Sequence, residues 1–95
     1  MNQQSAVKVL FASAEAAPLA KIGGLGDVAG ALPPALRQNS AGKLDIRLFL
    51  PFHAEIKRKE PQLGYLGAFS VAYLAGTFSV ELYVTMVQGV RTYLL

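Results

Sequence analysis

The sequence predicts an α/β fold in which a strand–loop–helix–strand unit is followed by an antiparallel β-meander. Val7 to Ala12 (VKVLFA) is a short apolar run typical of buried parallel strands, and a glycine-rich turn and a helical pattern follow it. After residue 63 the chain changes to extended runs separated by glycine-containing turns, which indicates antiparallel strands.

The helix is predicted from about Leu25 to Asn39. Val28, Leu32 and Leu36 fall at four-residue spacing and share one face with Ala29 and Ala35, the apolar stripe by which an amphipathic helix packs. Two prolines at 33–34 interrupt this pattern. Because proline inside a helix removes a hydrogen bond and clashes with the preceding turn, we expect a kink near residue 33.

The other elements follow from local signals. Residues 13–22 contain Pro18 and have no helical period, so they are predicted to form a loop that leaves the carboxyl end of the first strand. The second strand is Ile46 to Leu50, and residues 52–60 form a loop or one to two helical turns. The predicted meander has strands at 66–74, 77–86 and 92–95, turns at Ala75-Gly76 and Gln88-Gly89, and a hairpin tip at Gly89-Val90-Arg91.

Composition narrows the class of protein. The net charge of +3 comes from scattered basic residues, apart from Lys57-Arg58-Lys59, which we interpret as a solvated face rather than a nucleic-acid footprint. The absence of cysteine excludes disulfides and thiolate metal sites, and it fits a reducing compartment. The 95 residues suffice for one small domain or for part of a larger one.

A membrane span is the competing interpretation of residues 61–80. These twenty residues carry no charge and follow a basic cluster, as a membrane helix would. Three glycines and many Tyr, Phe and Val residues favour strands instead, so no membrane span is expected. The chain also stops inside an apolar run, which leads us to expect that the natural reading frame continues past Leu95.

The glycine turn is the segment that carries chemistry. Gly23-Gly24-Leu25-Gly26 lies before a helix, where backbone N–H groups lack intrahelical acceptors and the helix dipole favours an anion. Lys21 would add a positive charge to such a phosphate site, and Asp27 would orient a sugar hydroxyl or cap the helix. The dinucleotide fingerprint G-x-G-x-x-A is also present from Gly24, but it lies too far from the first strand and lacks an acidic residue after the second.

The segment from Lys21 to Val28 (KIGGLGDV) resembles the K-x-G-G-L-x-D-V signature of the glycogen and starch synthases. Further similarity covers nearly the whole chain after about Ala6, including Ser13-Ala14-Glu15 and Leu50-Pro51-Phe52. The resemblance implies a retaining glucosyltransferase with two Rossmann-like domains, of which residues 1–95 would be part of the first. The second, nucleotide-binding domain would lie outside this chain.

Such enzymes transfer glucose from ADP-glucose, sometimes UDP-glucose, to the non-reducing end of an α-1,4-glucan, without a required metal or cofactor. The resemblance implies that Lys21 contacts the donor nucleotide sugar, that Gly23 and Gly24 lie by its phosphates and that Asp27 lines the same cleft. It also implies a location in the cytoplasm or plastid stroma. It assigns no catalytic residue to this chain.

Three side chains keep alternative interpretations. Glu15 either orients Lys21 or a sugar hydroxyl, or it caps a nearby backbone amide. Asp27 would be a simple helix-terminal carboxylate if it is not a ligand. His53 matches no catalytic position of the family and is interpreted as a surface or packing residue. The alternative function is a non-catalytic carbohydrate- or phosphate-binding module.

Overall fold

A mixed sheet of five strands organises the chain, with two helices in its connections. The computed structural model describes residues 6–95. In chain order the elements are β1 (Val7–Ala12), α1 (Gly24–Asn39), β2 (Leu44–Leu50), α2 (Ala54–Arg58), β3 (Gly64–Tyr73), β4 (Gly76–Val87) and β5 (Val90–Leu94). The order across the sheet is β1-β2-β5-β4-β3, and the α/β prediction is confirmed.

The parallel half of the sheet is formed by β1, β2 and β5. β2 lies between the other two and pairs parallel with both. Ile46, Leu48 and Leu50 alternate with half-buried residues and point to the core, as the period of two in a strand requires. β1 has the predicted bounds, whereas β2 begins at Leu44 rather than at Ile46. The carboxyl ends of the three strands therefore lie at one edge of the sheet.

β4 pairs antiparallel with β3 on one side and with β5 on the other. The turn predicted at Gln88-Gly89 is confirmed, but the hairpin tip does not extend to Val90 and Arg91, because Val90 already pairs with Val87. The turn before β4 is Leu74-Ala75 rather than Ala75-Gly76, because Gly76 pairs with Tyr73 inside the ladder. Gln88 and Gly89 both have positive φ (50° and 78°), as in the two-residue turns that are common in β-hairpins. In such a turn the residues on either side of the loop still pair with each other.

The packing face of α1 was predicted correctly for Ala29 but wrongly for the larger apolar residues. The buried residues are Gly26, Ala29 and Pro33, whereas Val28, Leu32 and Leu36 are 55%, 40% and 37% exposed. Small residues on the buried face allow the helix to approach its neighbours closely, and larger side chains there would hold it away. The helix itself is confirmed and continues through both prolines from Gly24 to Asn39. The kink near Pro33 stays a prediction.

The core joins the sheet to the loop that leaves β1. Leu48, Leu50, Val90 and Leu94 of the sheet are buried together with Ala29 of α1 and Ile56 of α2. Ala16, Leu19 and Ala20 of the loop belong to the same cluster. The loop is thus anchored by apolar burial, which fixes the glycine turn that follows it.

The segment interpreted as a possible membrane span forms strands instead. Residues 64–73 are β3 and residues 76–87 are β4. Within residues 6–95, neither helix has the length and the apolar character needed to cross a bilayer.

Candidate functional site

The loop between β1 and α1 has a fixed backbone. Ala16 and Ala20 exchange two backbone hydrogen bonds of 2.9 and 3.0 Å, which closes the loop on itself. The amide of Ala17 donates to the carbonyl of Gly26 at 2.9 Å, which ties the loop to the first turn of α1. These bonds place the glycine turn beside the carboxyl ends of the parallel strands, where open α/β sheets bind ligands.

Glu15 lies under the glycine turn. Its side chain is 9% exposed, and its carboxylate accepts hydrogen bonds from the amides of Ile22 and Gly26, both at 2.7 Å, and of Gly23 at 3.3 Å. Of the two interpretations made from sequence, the geometry matches the one in which Glu15 caps backbone amides. The cap involves three amides rather than one.

The amide of Ile22 is the main cause that lowers the pKa of Glu15 below its ordinary value, with help from the amides of Gly26 and Gly23. Burial opposes this shift by disfavouring the charged carboxylate, as does the nearby charge of Asp27. The carboxylate is therefore the form that the loop stabilises.

A pH dependence follows from this lowered pKa. The stability that Glu15 contributes is complete above the ordinary carboxyl pKa and is lost as the pH falls through the lowered one. We expect Glu15→Gln to reduce the urea midpoint of unfolding strongly at neutral pH and less at an acid pH below the ordinary carboxyl pKa. Glu60→Gln, which changes an exposed carboxylate, should have little effect at either pH. If Glu15→Gln lowers the urea midpoint equally at both pH values, the charged form of Glu15 does not stabilise the loop.

Lys21 and Asp27 form an ion pair across the outer surface of the turn. Lys21 Nζ lies 3.1 Å from Asp27 Oδ1, and both side chains are at least half exposed. Exposed pairs of this kind add little to stability. Both charges therefore remain accessible to a ligand at the turn.

The glycines of the turn fall into two kinds. A Cβ atom at Gly23 or Gly24 would meet no atom within 4 Å, and neither residue has a positive φ, so the fold itself does not require glycine there. At Gly26 a Cβ would lie 3.0 Å from Lys21 Cγ and 3.2 Å from Glu15 Oε1. Gly26 is thus closely packed against Lys21 and Glu15, whereas Gly23 and Gly24 leave the backbone open to close approach from outside.

A cavity of about 560 Å³ adjoins the turn. Its lining consists of Ala14, Glu15, Ala20, Ile22, Gly23, Gly24, Leu25, His53 and Glu55. A larger cavity of about 810 Å³ lies along β3 and β4, but Arg91 is its one charged lining residue. The cavity at the turn therefore matches the predicted site better, although Lys21 and Asp27 lie outside its lining.

Two side chains from the segment after β2 hold the loop, and sequence reasoning did not identify them. His53 Nε2 lies 2.7 Å from the carbonyl oxygen of Ala14, and Lys59 Nζ donates to the carbonyls of Pro18 and Leu19, at 2.8 Å for Leu19. Lys59 was interpreted as part of a solvated face. Its pairing with Glu55 four residues earlier is visible in the sequence, but its contact with a loop forty residues away is not.

The structure thus brings together Glu15, Lys21, Gly23, Gly24 and Asp27 around one turn. Over residues 6–95, no group of three or more His, Cys, Asp or Glu side chains is arranged to hold a metal ion. The arrangement offers a lysine, outward-facing backbone and a carboxylate, which together can bind a phosphorylated sugar.

Comparison with known proteins identifies the family of this chain. Residues 8–95 match the family model described as the starch synthase catalytic domain. The chain belongs to this family. The glycogen synthase of Kosmotoga olearia is 35% identical over 83 residues, which covers 87% of this chain and 17% of that protein. The glycogen synthase of Gloeobacter violaceus is 55% identical over 47 residues, which covers 50% of this chain and 10% of that protein.

Among solved structures of the starch synthase family, the catalytic domain of starch synthase IV from Arabidopsis thaliana has the same fold, with a TM-score of 0.81 and 25% identity. The match covers 95% of this chain and 18% of that domain, whose structure contains ADP and acarbose. The matched segments cover 10% and 17% of these two glycogen synthases, so this chain spans a small part of the length of its relatives. The family resemblance seen in the sequence is confirmed.

Proposed function

We propose that this chain is part of a retaining glucosyltransferase that transfers glucose from ADP-glucose to the non-reducing end of an α-1,4-glucan. The family match across residues 8–95 carries this proposal. The ADP in the similar Arabidopsis domain supports an adenine nucleotide sugar as donor. A reducing compartment, the cytoplasm or the plastid stroma, is the proposed location.

In this proposal, residues 1–95 are part of an N-terminal Rossmann-like domain, in which β3 and β4 are an antiparallel insertion between the parallel strands. A second domain, which binds most of the nucleotide, belongs to the longer protein. The parallel order β1-β2-β5 supports this architecture, because β3 and β4 intervene in sequence between β2 and β5.

The proposed reaction exchanges one bond at the anomeric carbon of glucose. The bond from this carbon to the diphosphate oxygen breaks, the glucan hydroxyl oxygen forms the new glycosidic bond and gives its proton to the departing diphosphate, and ADP leaves. Negative charge develops on the leaving diphosphate. Lys21 and the open backbone at Gly24 would stabilise that charge, and Asp27, 3.1 Å from Lys21, would hold the ammonium group in place.

The test is a transfer assay on the longer protein that contains this chain. With radiolabelled ADP-glucose and glycogen, we expect label to enter the α-1,4-glucan, with release of one ADP for each glucose added. Transfer from UDP-glucose alone would correct the donor. Glucan binding without any transfer would overturn the proposal in favour of a non-catalytic binding module.

A further inference from the structure

The base of the glycine turn already contains an anion. Both carboxylate oxygens of Glu15 are used, Oε2 by the amide of Ile22 and Oε1 by the amides of Gly23 and Gly26. Within residues 6–95 the carboxylate forms no ion pair. Its negative charge is stabilised by oriented backbone N–H groups alone, as a bound phosphate or sulfate would be.

Several features hold the carboxylate in this position. Ser13 Oγ donates to the Glu15 carbonyl at 2.7 Å, and His53 contacts the neighbouring carbonyl of Ala14. The absent side chain at Gly26 leaves the space that Glu15 Oε1 occupies, since a Cβ there would lie 3.2 Å from this oxygen. The fold therefore keeps Glu15 in one place relative to the turn.

We propose that Glu15 is a built-in anion that fills the phosphate position at the base of the turn and so acts as a positioning residue for the donor surface outside it. A donor diphosphate is then excluded from the amides of Ile22, Gly23 and Gly26. It meets the outer surface of the turn instead, where Lys21 lies. The role of Glu15 in glucose transfer rests on the proposed function, whereas its place as an anion at the base of the turn does not depend on that function.

Two carboxylates near the start of α1 have different positions and partners. Glu15 lies inside and binds backbone, whereas Asp27 lies outside and binds Lys21. If Glu15 were absent, the amides of Ile22 and Gly23 would lose their acceptor, and the amide of Gly26 would keep only its 3.1 Å bond to the carbonyl of Gly23, so all three would face a small pocket. Such a pocket should accept a small external anion that replaces the carboxylate.

The first test uses this chain and two probes, formate and inorganic phosphate. In Glu15→Ala we expect either anion to shift the amide NMR resonances of Ile22, Gly23 and Gly26 in a saturable way. The wild type and Glu60→Ala, which lacks an exposed carboxylate instead, should show no saturable shift at these amides. If Glu15→Ala folds and neither anion shifts the resonances of these three amides, the proposal is overturned.

If Glu15→Ala does not fold, Glu15→Gln provides the test. The amide side chain presents one acceptor oxygen and one donor group, so it cannot accept all three bonds. We expect hydrogen exchange at Ile22, Gly23 or Gly26 to become at least about tenfold faster, while exchange in β2 stays unchanged. Unchanged exchange at all three amides would overturn the proposal.

The second test measures transfer by the longer protein. Displacement of the turn in Glu15→Ala should lower kcat by about 100-fold, and formate should restore activity at least severalfold. Formate should not rescue Lys21→Ala, which lacks a cation rather than an anion. Loss of activity without rescue would overturn the positioning role. If the wild-type protein shows no glucose transfer, the proposed function is wrong, but the anion binding by the three amides in Glu15→Ala still stands.

Discussion

Replacing Gly30 with alanine should destabilise this chain more than any other addition of a single methyl group to its helices. The new Cβ would lie 2.3 Å from the carbonyl oxygen of Ala17 and 2.9 Å from its nitrogen. Both are backbone atoms, so no side chain can move aside. Alanine gains about 1 kcal/mol in helix propensity, and the clash should exceed this gain by about 2 kcal/mol or more. Urea unfolding followed by circular dichroism measures the difference.

Gly24→Ala is the matched control in the same helix. A Cβ at Gly24 would contact nothing within 4 Å, so only the propensity gain remains and stability should be unchanged or slightly increased. The loop that contains Ala17 also carries Glu15 and Lys21, so Gly30→Ala should weaken the site as well. A Gly30→Ala protein as stable as Gly24→Ala would show that α1 and the loop are farther apart than described here.

The sequence was sufficient to predict the strands and helices but not all the contacts between them. The apolar run from Val7 to Ala12 allowed one interpretation, and the strand has these bounds. For α1 the same kind of pattern failed. Val28, Leu32 and Leu36 have the periodicity of a packing face, yet the helix is buried through Gly26, Ala29 and Pro33. Burial there depends on how closely a loop from elsewhere approaches, which periodicity does not encode.

The candidate site shows the same division between local and distant information. Lys21 and Asp27 are six positions apart around a turn, so their proximity could be anticipated from the sequence. The contacts of His53 with Ala14 and of Lys59 with Leu19 join segments about forty residues apart, and nothing in their spacing indicates them. The Glu15 carboxylate accepts hydrogen bonds from three backbone amides only because the loop folds back over it. Residue type alone left its capping role and its ligand role equally open.

Lys21→Ala is the substitution with the largest expected effect on transfer by the longer protein. We expect kcat with ADP-glucose to fall by about 100-fold or more, because one preorganised charge at the leaving diphosphate is lost. The charge matters most in the transition state, so KM should rise less than kcat falls. Steady-state kinetics with glycogen as acceptor provides both values.

The control separates this effect from a loss of folding. Lys21 is half exposed and its ion pair with Asp27 lies at the surface, so the unfolding midpoint should barely change. Lys43→Ala removes an exposed lysine from the turn before β2 and should alter neither kinetics nor stability. Unchanged turnover in Lys21→Ala would remove this residue from the donor site. The open backbone at Gly24 would then be the remaining contact with the diphosphate, and Asp27 would be a helix-terminal carboxylate.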